Sequence, residues 1–459
     1  MSRKRIASTV IILLVAVMCV TAAMYIVKDD INITDISQTE ITTEITTTEP
    51  TTTEPPPPEV TSTVTIRSVG DVLIHIPVYQ NAKKSDGTYD FSHIFTYSQD
   101  IISSSDYFVA NFETTLGGTN GRNYSGFPRF NSPDSIVDAL KGAGVDCLLT
   151  ANNHSYDTNG AGVLRTIEKI EEAGLDYTGS RKSTDDAQYF VKNIGGIKFG
   201  MACYTYETPT SEGRKALNGL LVDTATASLI NSFNPGKPDS FYEELASNIS
   251  KMRKKGAEII AVYIHWGEEY QLTPNAKQKE IAQKLCDMGV DVIIGGHPHV
   301  VQPMDLLTST DGKHKTVCVY SLGNFVSNQR RNLMGLKTGH TEDGLIFEMT
   351  FSKYSDGTVV FESVDAIPTW VHLYSENGKK IHSVVPLQGN LDKNATSLGL
   401  TKTGDGLTQA KASMTRTEAL VSEGEKKCND YLSSVETPIE TYEAERANES
   451  SGTTAVIVN

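Results

Sequence analysis

The chain is poor in cysteine and tryptophan, has no excess of basic charge and carries no internal repeat. Its 459 residues include 6 cysteines and 2 tryptophans, and 41 lysines and arginines stand against 56 aspartates and glutamates. The formal charge of −15 argues against nucleic acid as a partner, because proteins that bind nucleic acid usually present basic patches.

The cysteines do not form a disulfide framework. Cys19 lies in the N-terminal apolar run, which leaves an odd number of others without paired spacing. Four of these lie within strand-like or helix-like apolar runs, namely Cys147, Cys203, Cys286 and Cys318. The prediction is therefore that they are buried free thiols.

Charged residues are absent from the N-terminal stretch 6–27, which is mostly apolar and long enough to cross a hydrocarbon core as a helix. The basic residues Arg3, Lys4 and Arg5 precede it, so the positive-inside rule places the N-terminus in the cytoplasm. Residues 1–30 are predicted to be an uncleaved signal anchor, with cleavage near Ala22-Ala23 as the alternative. The expected location is the cell membrane, single-pass, with the folded domain outside the cytoplasm.

Composition divides the remaining chain into three parts. Residues 31–61 are mostly Thr, Glu and Pro, which cannot bury a core and predict an extended, disordered spacer. The folded domain is expected at 62–390. Residues 391–459 are predicted to be a C-terminal extension with one long helix at 407–432 and a polar tail.

Apolar strand-like runs alternate with helix-like segments through the folded part, which is the pattern of an α/β protein. The predicted strands include 64–69, 106–110, 144–150, 258–264, 291–294 and 315–321. The predicted helices include 91–103, 163–172, 241–254, 277–288 and one that starts with Ser132 as N-cap and Pro133 as first residue. Hairpins are predicted around Gly195-Gly196 and Asp356-Gly357.

Polar residues follow the predicted strands at six exits, where α/β proteins bind their ligands. They are Asp71, Asn111, Glu113, Asn153, His154, His265, His297, His299 and Asn324. Carboxylate, amide and imidazole together make a mixed oxygen and nitrogen ligand set that suits Zn, Mn or Fe. The pattern predicts one site for one or two divalent ions at an edge of the sheet.

Six short motifs, in this order, resemble the CapA family of capsule synthesis proteins, which includes proteins of bacterial poly-γ-glutamate production. The motifs are Gly70-Asp71, Asn111-Phe112-Glu113, Asn152-Asn153-His154, His265-Trp266-Gly267, Gly296-His297-Pro298-His299 and Ser321-Leu322-Gly323-Asn324-Phe325. The resemblance implies a calcineurin-like metallophosphoesterase fold, an α/β/β/α sandwich, preceded here by the N-terminal transmembrane helix.

The resemblance also implies roles for individual residues. The implied metal ligands are Asp71, Glu113, Asn153, His265, His297 and His299. One ion would have Asp71, Glu113 and His299, and the other would have Glu113, Asn153, His265 and His297. His154 is implied to assist the leaving group, and Asn111 is the second candidate catalytic residue.

Two departures from the metallophosphoesterase pattern leave the number of ions open. The Asp-x-His motif is absent, because Val72 and Leu73 follow Asp71, and His75 is the alternative imidazole. Glu113 stands where the superfamily uses a bridging aspartate.

Five further residues have open roles. Trp266 either packs under the site or lines a substrate pocket, and Asn324 either holds a loop or contacts substrate. Arg129 is expected in a surface ion pair. The neighbouring Glu268 and Glu269 are expected to face solvent or to orient ligands.

The first functional hypothesis is a membrane-anchored, extracytoplasmic component of capsule or poly-γ-glutamate biosynthesis or export, working on an anionic polymer or a phosphoester with other capsule synthesis proteins. The alternative is a stand-alone metal-dependent hydrolase of phosphoesters or of an anionic polymer. A structural adhesin on a stalk ranks third, because it leaves the polar strand ends unexplained.

Overall fold

The computed structural model describes residues 56–211, 213–336 and 338–452. The predicted signal anchor and nearly all of the predicted spacer lie outside the described residues. Within the described part of the chain, no helix combines the length and the apolar character that crossing a membrane requires.

Seventeen strands lie in the described residues. In chain order they are β1 (Val60–Val72), β2 (Tyr107–Asn111), β3 (Cys147–Leu149), β4 (Asp176–Thr178), β5 (Tyr189–Ile194), β6 (Ile197–Tyr206), β7 (Ala216–Leu217), β8 (Leu220–Leu221), β9 (Ser232–Phe233), β10 (Ile259–His265), β11 (Val292–Gly296), β12 (Val301–Thr308), β13 (Lys315–Leu322), β14 (Asn324–Val326), β15 (Asp343–Tyr354), β16 (Val359–Glu376) and β17 (Lys379–Pro386).

Ten α-helices lie in the same part of the chain. They are α1 (Ile76–Ala82), α2 (Gln99–Ser103), α3 (Ser135–Ala143), α4 (Asn159–Glu172), α5 (Thr224–Ala227), α6 (Asp239–Lys254), α7 (Ala276–Asp287), α8 (Leu391–Asn394), α9 (Gly406–Leu432) and α10 (Pro438–Gly452). Short 3-10 helices cover Ser92–Phe95, His340–Glu342 and Leu400–Lys402.

The strands form two large mixed sheets. The first has the order β17-β16-β15-β1-β2-β3-β4, with β14 also paired to β1, and the second has the order β12-β13-β11-β10-β6-β5, with β9 paired to β6. Parallel strands form one half of the first sheet, from β1 to β4, and the centre of the second, through β6, β10, β11 and β13. Antiparallel pairing adds β15, β16 and β17 to the first sheet and β5 and β12 to the second, and it includes both predicted hairpins. The short strands β14 and β9 pair in parallel with β1 and β6.

The two sheets pack face to face, and helices cover their outer faces. Apolar side chains of both sheets share one buried core, in which Ile66 and Phe347 belong to the first sheet and Met201 and Tyr263 to the second. A second core lies between the first sheet and α1 to α3, and a third lies between the second sheet and helices α6 and α7. Burying apolar area on both faces of each sheet is the main stabilising contribution to this mixed α/β fold.

Helix α9 covers a further edge of this core. Its residues Val421, Cys428 and Leu432 belong to the apolar core between the sheets. Asn429 also completes the hydrogen bonding of β16, since its side chain donates to the Val364 carbonyl and accepts from the Val364 amide, each at 2.9 Å. The predicted long helix is therefore present and packs on the two sheets.

Three local predictions differ from the structure. The predicted helix over 91–103 is two short pieces, a 3-10 turn and α2. The helix expected to start with Ser132 as cap begins at Ser135, with Asp134 in the cap position and no capping side-chain hydrogen bond. Helix α10 occupies most of the stretch that was predicted to be a polar tail.

Candidate metal centre

The predicted ligands converge where the two sheets meet. Asp71 lies near the end of β1, Glu113 follows β2 by two residues, His265 ends β10, and His297 and His299 follow β11. The carboxyl ends of parallel strands open toward one crevice, so strands of two sheets deliver their side chains to the same place. Each of these five residues is at most 4% exposed.

The turn that carries the two later histidines is held in an unfavourable conformation. His297 has φ 98° and His299 has φ 56°, which is the left-handed region that side chains other than glycine rarely adopt. The turn is fixed from both sides, because the Trp266 amide donates to the Gly296 carbonyl at 3.1 Å and the Tyr270 amide to the Pro298 carbonyl at 2.8 Å. Backbone strain of this kind concentrates at functional sites.

Hydrogen bonds orient the first group of ligands. His299 donates from Nδ1 to Asp71 Oδ2 at 2.9 Å, so its Nε2 takes no part in this hydrogen bond. Asn111 donates from Nδ2 to Asp71 Oδ1 at 2.7 Å and lies 3.5 Å from Glu113 Oε2. Asn111 therefore contacts both carboxylates, and its catalytic role stays a prediction.

A second group forms around His265. Its Nε2 donates to Asn153 Oδ1 at 2.8 Å and lies 3.3 Å from Glu113 Oε1. Among the described residues, Glu113 Oε1 and His297 Nδ1 are buried without a hydrogen-bond partner. Because buried polar atoms are nearly always paired, these two orphaned atoms are candidate metal-binding atoms.

The ligand atoms lie close enough together to hold a metal ion. Asp71, Glu113 and His299 bring one atom each to within 4.8 Å of one another, and so do Glu113, His265 and His297. These are the two sets that the family resemblance implied, apart from Asn153, whose oxygen contacts His265. A third group joins Glu269 to His297 and His299, which was not predicted.

The electrostatics of the cluster favour a cation. Burial lowers the pKa of His265 to about 3 and holds that of His297 well below its ordinary value, so both imidazoles are neutral and able to act as ligands. Burial and then the charge of Asp71 hold the pKa of Glu113 well above its usual range. Burial is also the largest single influence on Asp71 and opposes its ionisation, but the hydrogen bonds from His299 and Asn111 and the charges of His299 and His265 together outweigh it and lower that pKa. A bound cation would let both carboxylates ionise.

His154 lies beside the cluster and is oriented by Asp157, a residue that was not predicted. Its Nδ1 donates to Asp157 Oδ2 at 2.7 Å, and the Asp157 side chain is fully buried. The Phe130 amide donates to the same oxygen at 2.6 Å, and the Phe130 ring packs edge-on against the imidazole. In the sequence, only the spacing of three residues between His154 and Asp157 within one polar turn could have indicated this pair.

The residues with open roles are now assigned by their contacts. Trp266 is buried and donates to the Tyr320 carbonyl at 2.9 Å, and it also lines a pocket of about 350 Å³ next to the start of α7. Asn324 holds loops, because its amide donates to three acceptors that include the His299 carbonyl. His75 accepts from the Asn328 amide at 3.3 Å and is not part of a candidate ligand group among the described residues. Arg129 is exposed.

The mixed α/β fold with its two packed, curled sheets fits a metallophosphoesterase-like domain, and the buried imidazoles and carboxylates where the sheets meet could bind a metal ion. The profile of the family described as "Bacterial capsule synthesis protein PGA_cap" matches residues 65–329, more than half of the chain. The chain belongs to this family, as the order of the six motifs predicted.

Three curated relatives are similar to the chain. "Capsule biosynthesis protein CapA" of Bacillus anthracis is 29% identical over 346 residues, which cover 74% of this chain and 73% of that protein. "PGA biosynthesis protein CapA" of Bacillus subtilis is 29% identical over 57% of this chain and 62% of that protein. "NAD 5'-nucleotidase" of Haemophilus influenzae is 30% identical over 37% of this chain and 25% of that protein.

Proposed function

We propose that this protein serves the biosynthesis or export of an anionic capsule polymer, of the poly-γ-glutamate kind, through a metal site of calcineurin-like type. The observation that carries the proposal is the buried cluster of Asp71, Glu113, His265, His297 and His299 in a chain of the capsule synthesis family. The names of the two Bacillus relatives support the polymer assignment.

The cluster is proposed to hold one or two divalent ions of the Mn, Fe or Zn type. The oxygen and nitrogen donors fit these metals, and no cysteine lies in any of the candidate groups found among the described residues. Such ions, when bound, activate water and bind the oxygens of a displaced group. Asn153 would add an amide oxygen beside His265.

The surrounding side chains are proposed to position and protonate the substrate. His154 is proposed to give the proton on its Nε2 to a leaving group from a ring that carries both protons, and Asp157, which accepts from Nδ1, would stabilise that charged ring. Asn111 is proposed to hold the carboxylates of Asp71 and Glu113 in position, since its amide contacts both. The site then acts on a phosphoester or on a bond of the polymer chain.

The proposed location is the cell membrane, with residues 1–30 as anchor, 31–61 as spacer, 62–390 as the extracytoplasmic metallophosphatase-like domain and 391–459 as its C-terminal extension. The apolar run 6–27 and the Thr/Glu/Pro-rich stretch support this arrangement. A polymer assembled at the membrane also requires other capsule synthesis proteins as partners.

The test compares His297→Ala with His314→Ala, a histidine in the hairpin between β12 and β13 that serves as the matched control. The purified full chain and the control are expected to contain stoichiometric Mn, Fe or Zn by elemental analysis, and His297→Ala is expected to lose it. In a strain that makes the polymer, surface polymer should fall with His297→Ala only. Absence of metal from all three proteins after reconstitution would refute the metal site, and unchanged polymer on loss of the protein would refute the capsule function.

The alternative is a stand-alone metal-dependent hydrolase of phosphoesters. The similarity to a protein named NAD 5'-nucleotidase over 175 residues favours it. Turnover of a small phosphoester that requires His297, together with unchanged surface polymer, would select this alternative.

A further inference from the structure

The loop that leaves β10 passes directly over the histidine turn. It contains Trp266, Gly267, Glu268, Glu269 and Tyr270, and its Gly267 and Tyr270 have left-handed φ of 89° and 64°. The amides of Trp266 and Tyr270 donate into the histidine turn, as described above, so the loop is fixed at both ends. Because the backbone is held, the two glutamates between these anchors have defined positions.

The two glutamates have different surroundings. Glu268 lies 3.5 Å from Asn275 Nδ2 and lines a separate pocket of about 350 Å³ next to the start of α7. Glu269 is exposed, and a carboxylate oxygen of it lies within 4.8 Å of a ring nitrogen of His297 and of His299. The charge of Glu269 also reaches Tyr206, whose pKa is raised first by burial and then by this carboxylate. The loop therefore directs one glutamate to the cluster and the other away from it.

The cluster lacks one ligand that its class ordinarily has. Leu73 stands two residues after Asp71 and is buried in the apolar core, so that position offers no imidazole. His75 is occupied by the Asn328 amide. His297, in contrast, is 4% exposed and its Nδ1 has no hydrogen-bond partner among the described residues.

We infer that Glu269 is a metal ligand that works with His297 and His299 and supplies, from the loop after β10, the donor that the absent Asp-x-His motif would have supplied. This inference rests on the proposed function, since it concerns the same divalent ions. Glu269 differs from the other ligands in being exposed to solvent. It is therefore the ligand that an incoming phosphate or carboxylate oxygen of the substrate displaces, while the buried ligands keep the ion in place.

The experiment measures Mn²⁺ binding to the purified full chain by electron paramagnetic resonance of the free ion, with elemental analysis of the same samples. Glu269→Gln keeps the size of the side chain and removes its charge, and Glu268→Gln is the matched control on the same loop. Glu269→Gln is expected to lower the affinity for one Mn²⁺ per chain by about tenfold or more. Substituting even residues that only orient metal ligands lowers metal affinity about 10- to 100-fold. Glu268→Gln should match the wild type.

Each outcome is informative. Equal binding by the wild type and both variants would overturn the assignment of Glu269 and leave the proposed metal site intact. Absence of Mn²⁺, Fe or Zn binding from all three would overturn the metal site and Glu269 together. Weaker binding by both variants alike would show a general effect of loop charge and would also overturn the assignment. Circular dichroism melting of each variant checks that the fold is retained, which is expected because Glu269 is exposed.

Discussion

Glu113 is the residue on which the electrostatics of the site depend most. It is fully buried and close to Asp71, and burial followed by repulsion from Asp71 raises its pKa, so the two carboxylates share less than two full negative charges in the absence of a cation. A divalent ion reverses this, because an opposite charge within a few ångströms favours the ionised form. Asn111 contacts both carboxylates, so the longer side chain of Glu113 still reaches the amide that binds Asp71.

Asp157 gives a prediction at the residue scale. Asp157→Asn replaces a charge-assisted hydrogen bond to His154 with a neutral one, while an amide oxygen can still accept from the Phe130 amide. Hydrolysis of para-nitrophenyl phosphate by the metal-loaded protein is expected to fall about 100-fold, at the lower end of the usual contribution of acid–base catalysis. Metal content by elemental analysis should stay at the wild-type level. Loss of metal from Asp157→Asn, or unchanged turnover, would contradict the role given to this pair.

The strand-exit rule predicted five residues that the structure brings together, namely Asp71, Glu113, His265, His297 and His299. The rule works because a polar side chain directly after a buried strand lies at the crevice along the carboxyl edge of the sheet. The rule could not find Asp157 or Glu269, which lie within loops several residues past a strand end. Their positions depend on how those loops fold back, through contacts such as the one between Tyr270 and Pro298, and sequence periodicity carries no information about such contacts.

At the scale of whole elements, β1 lies very close to the turn that joins β13 to β14. A Cβ built on Gly70 would lie 1.9 Å from the Gly323 carbonyl oxygen, and the Asp71 amide donates to that same oxygen at 3.0 Å. The glycine therefore lets β1 approach the turn and fixes the backbone of Asp71.

Gly70→Ala is expected to destabilise the protein, because the contact is with backbone atoms that cannot rotate away. Overpacking of this kind costs about 1–3 kcal/mol and sometimes more. Gly142→Ala is the matched control, since Gly142 lies in α3 with nothing within 4 Å of the added carbon. It should stabilise the protein by about 0.5–1 kcal/mol through helix propensity. Urea unfolding of both variants measures the two changes, and equal stability of the two variants would contradict the close approach.

Element prediction succeeded where periodicity was strong and failed where tertiary contacts decide. The helices that became α6, α7 and α9 and the two hairpins were expected within a few residues of their bounds. Helix α3 starts later than predicted because Ser132 is used elsewhere: its hydroxyl pairs with that of Thr114 at 2.7 Å. The tertiary contact with Thr114 therefore outweighs the local preference of Ser132 for a helix cap.

On the scale of the whole molecule, buried histidines outside the metal cluster connect distant segments. His382 lies on β17 and donates from Nε2 to Asn328 Oδ1 at 2.9 Å, while the Asn328 amide donates to His75. The loop after β14 is in this way attached to β17 on one side and to the start of α1 on the other. His382 is 1% exposed, and its Nδ1 has no partner among the described residues.

This connection makes the stability of the fold dependent on pH. Burial first, and then the neighbouring Arg330, lower the pKa of His382 from 6.5 to about 3. Between these values the unfolded chain binds the proton and the folded chain does not, so the free energy of unfolding falls as the pH drops below about 6.5. Lowering the pH from 7 to 5 should cost about 2 kcal/mol through this one residue, at about 1.4 kcal/mol per pH unit.

His382→Gln keeps a donor for Asn328 but does not titrate. The difference in unfolding free energy between the wild type and His382→Gln, measured by urea unfolding, should therefore shift by about that amount between pH 7 and pH 5. If the two proteins lose stability in parallel over this range, the lowered pKa of His382 in the folded protein is contradicted.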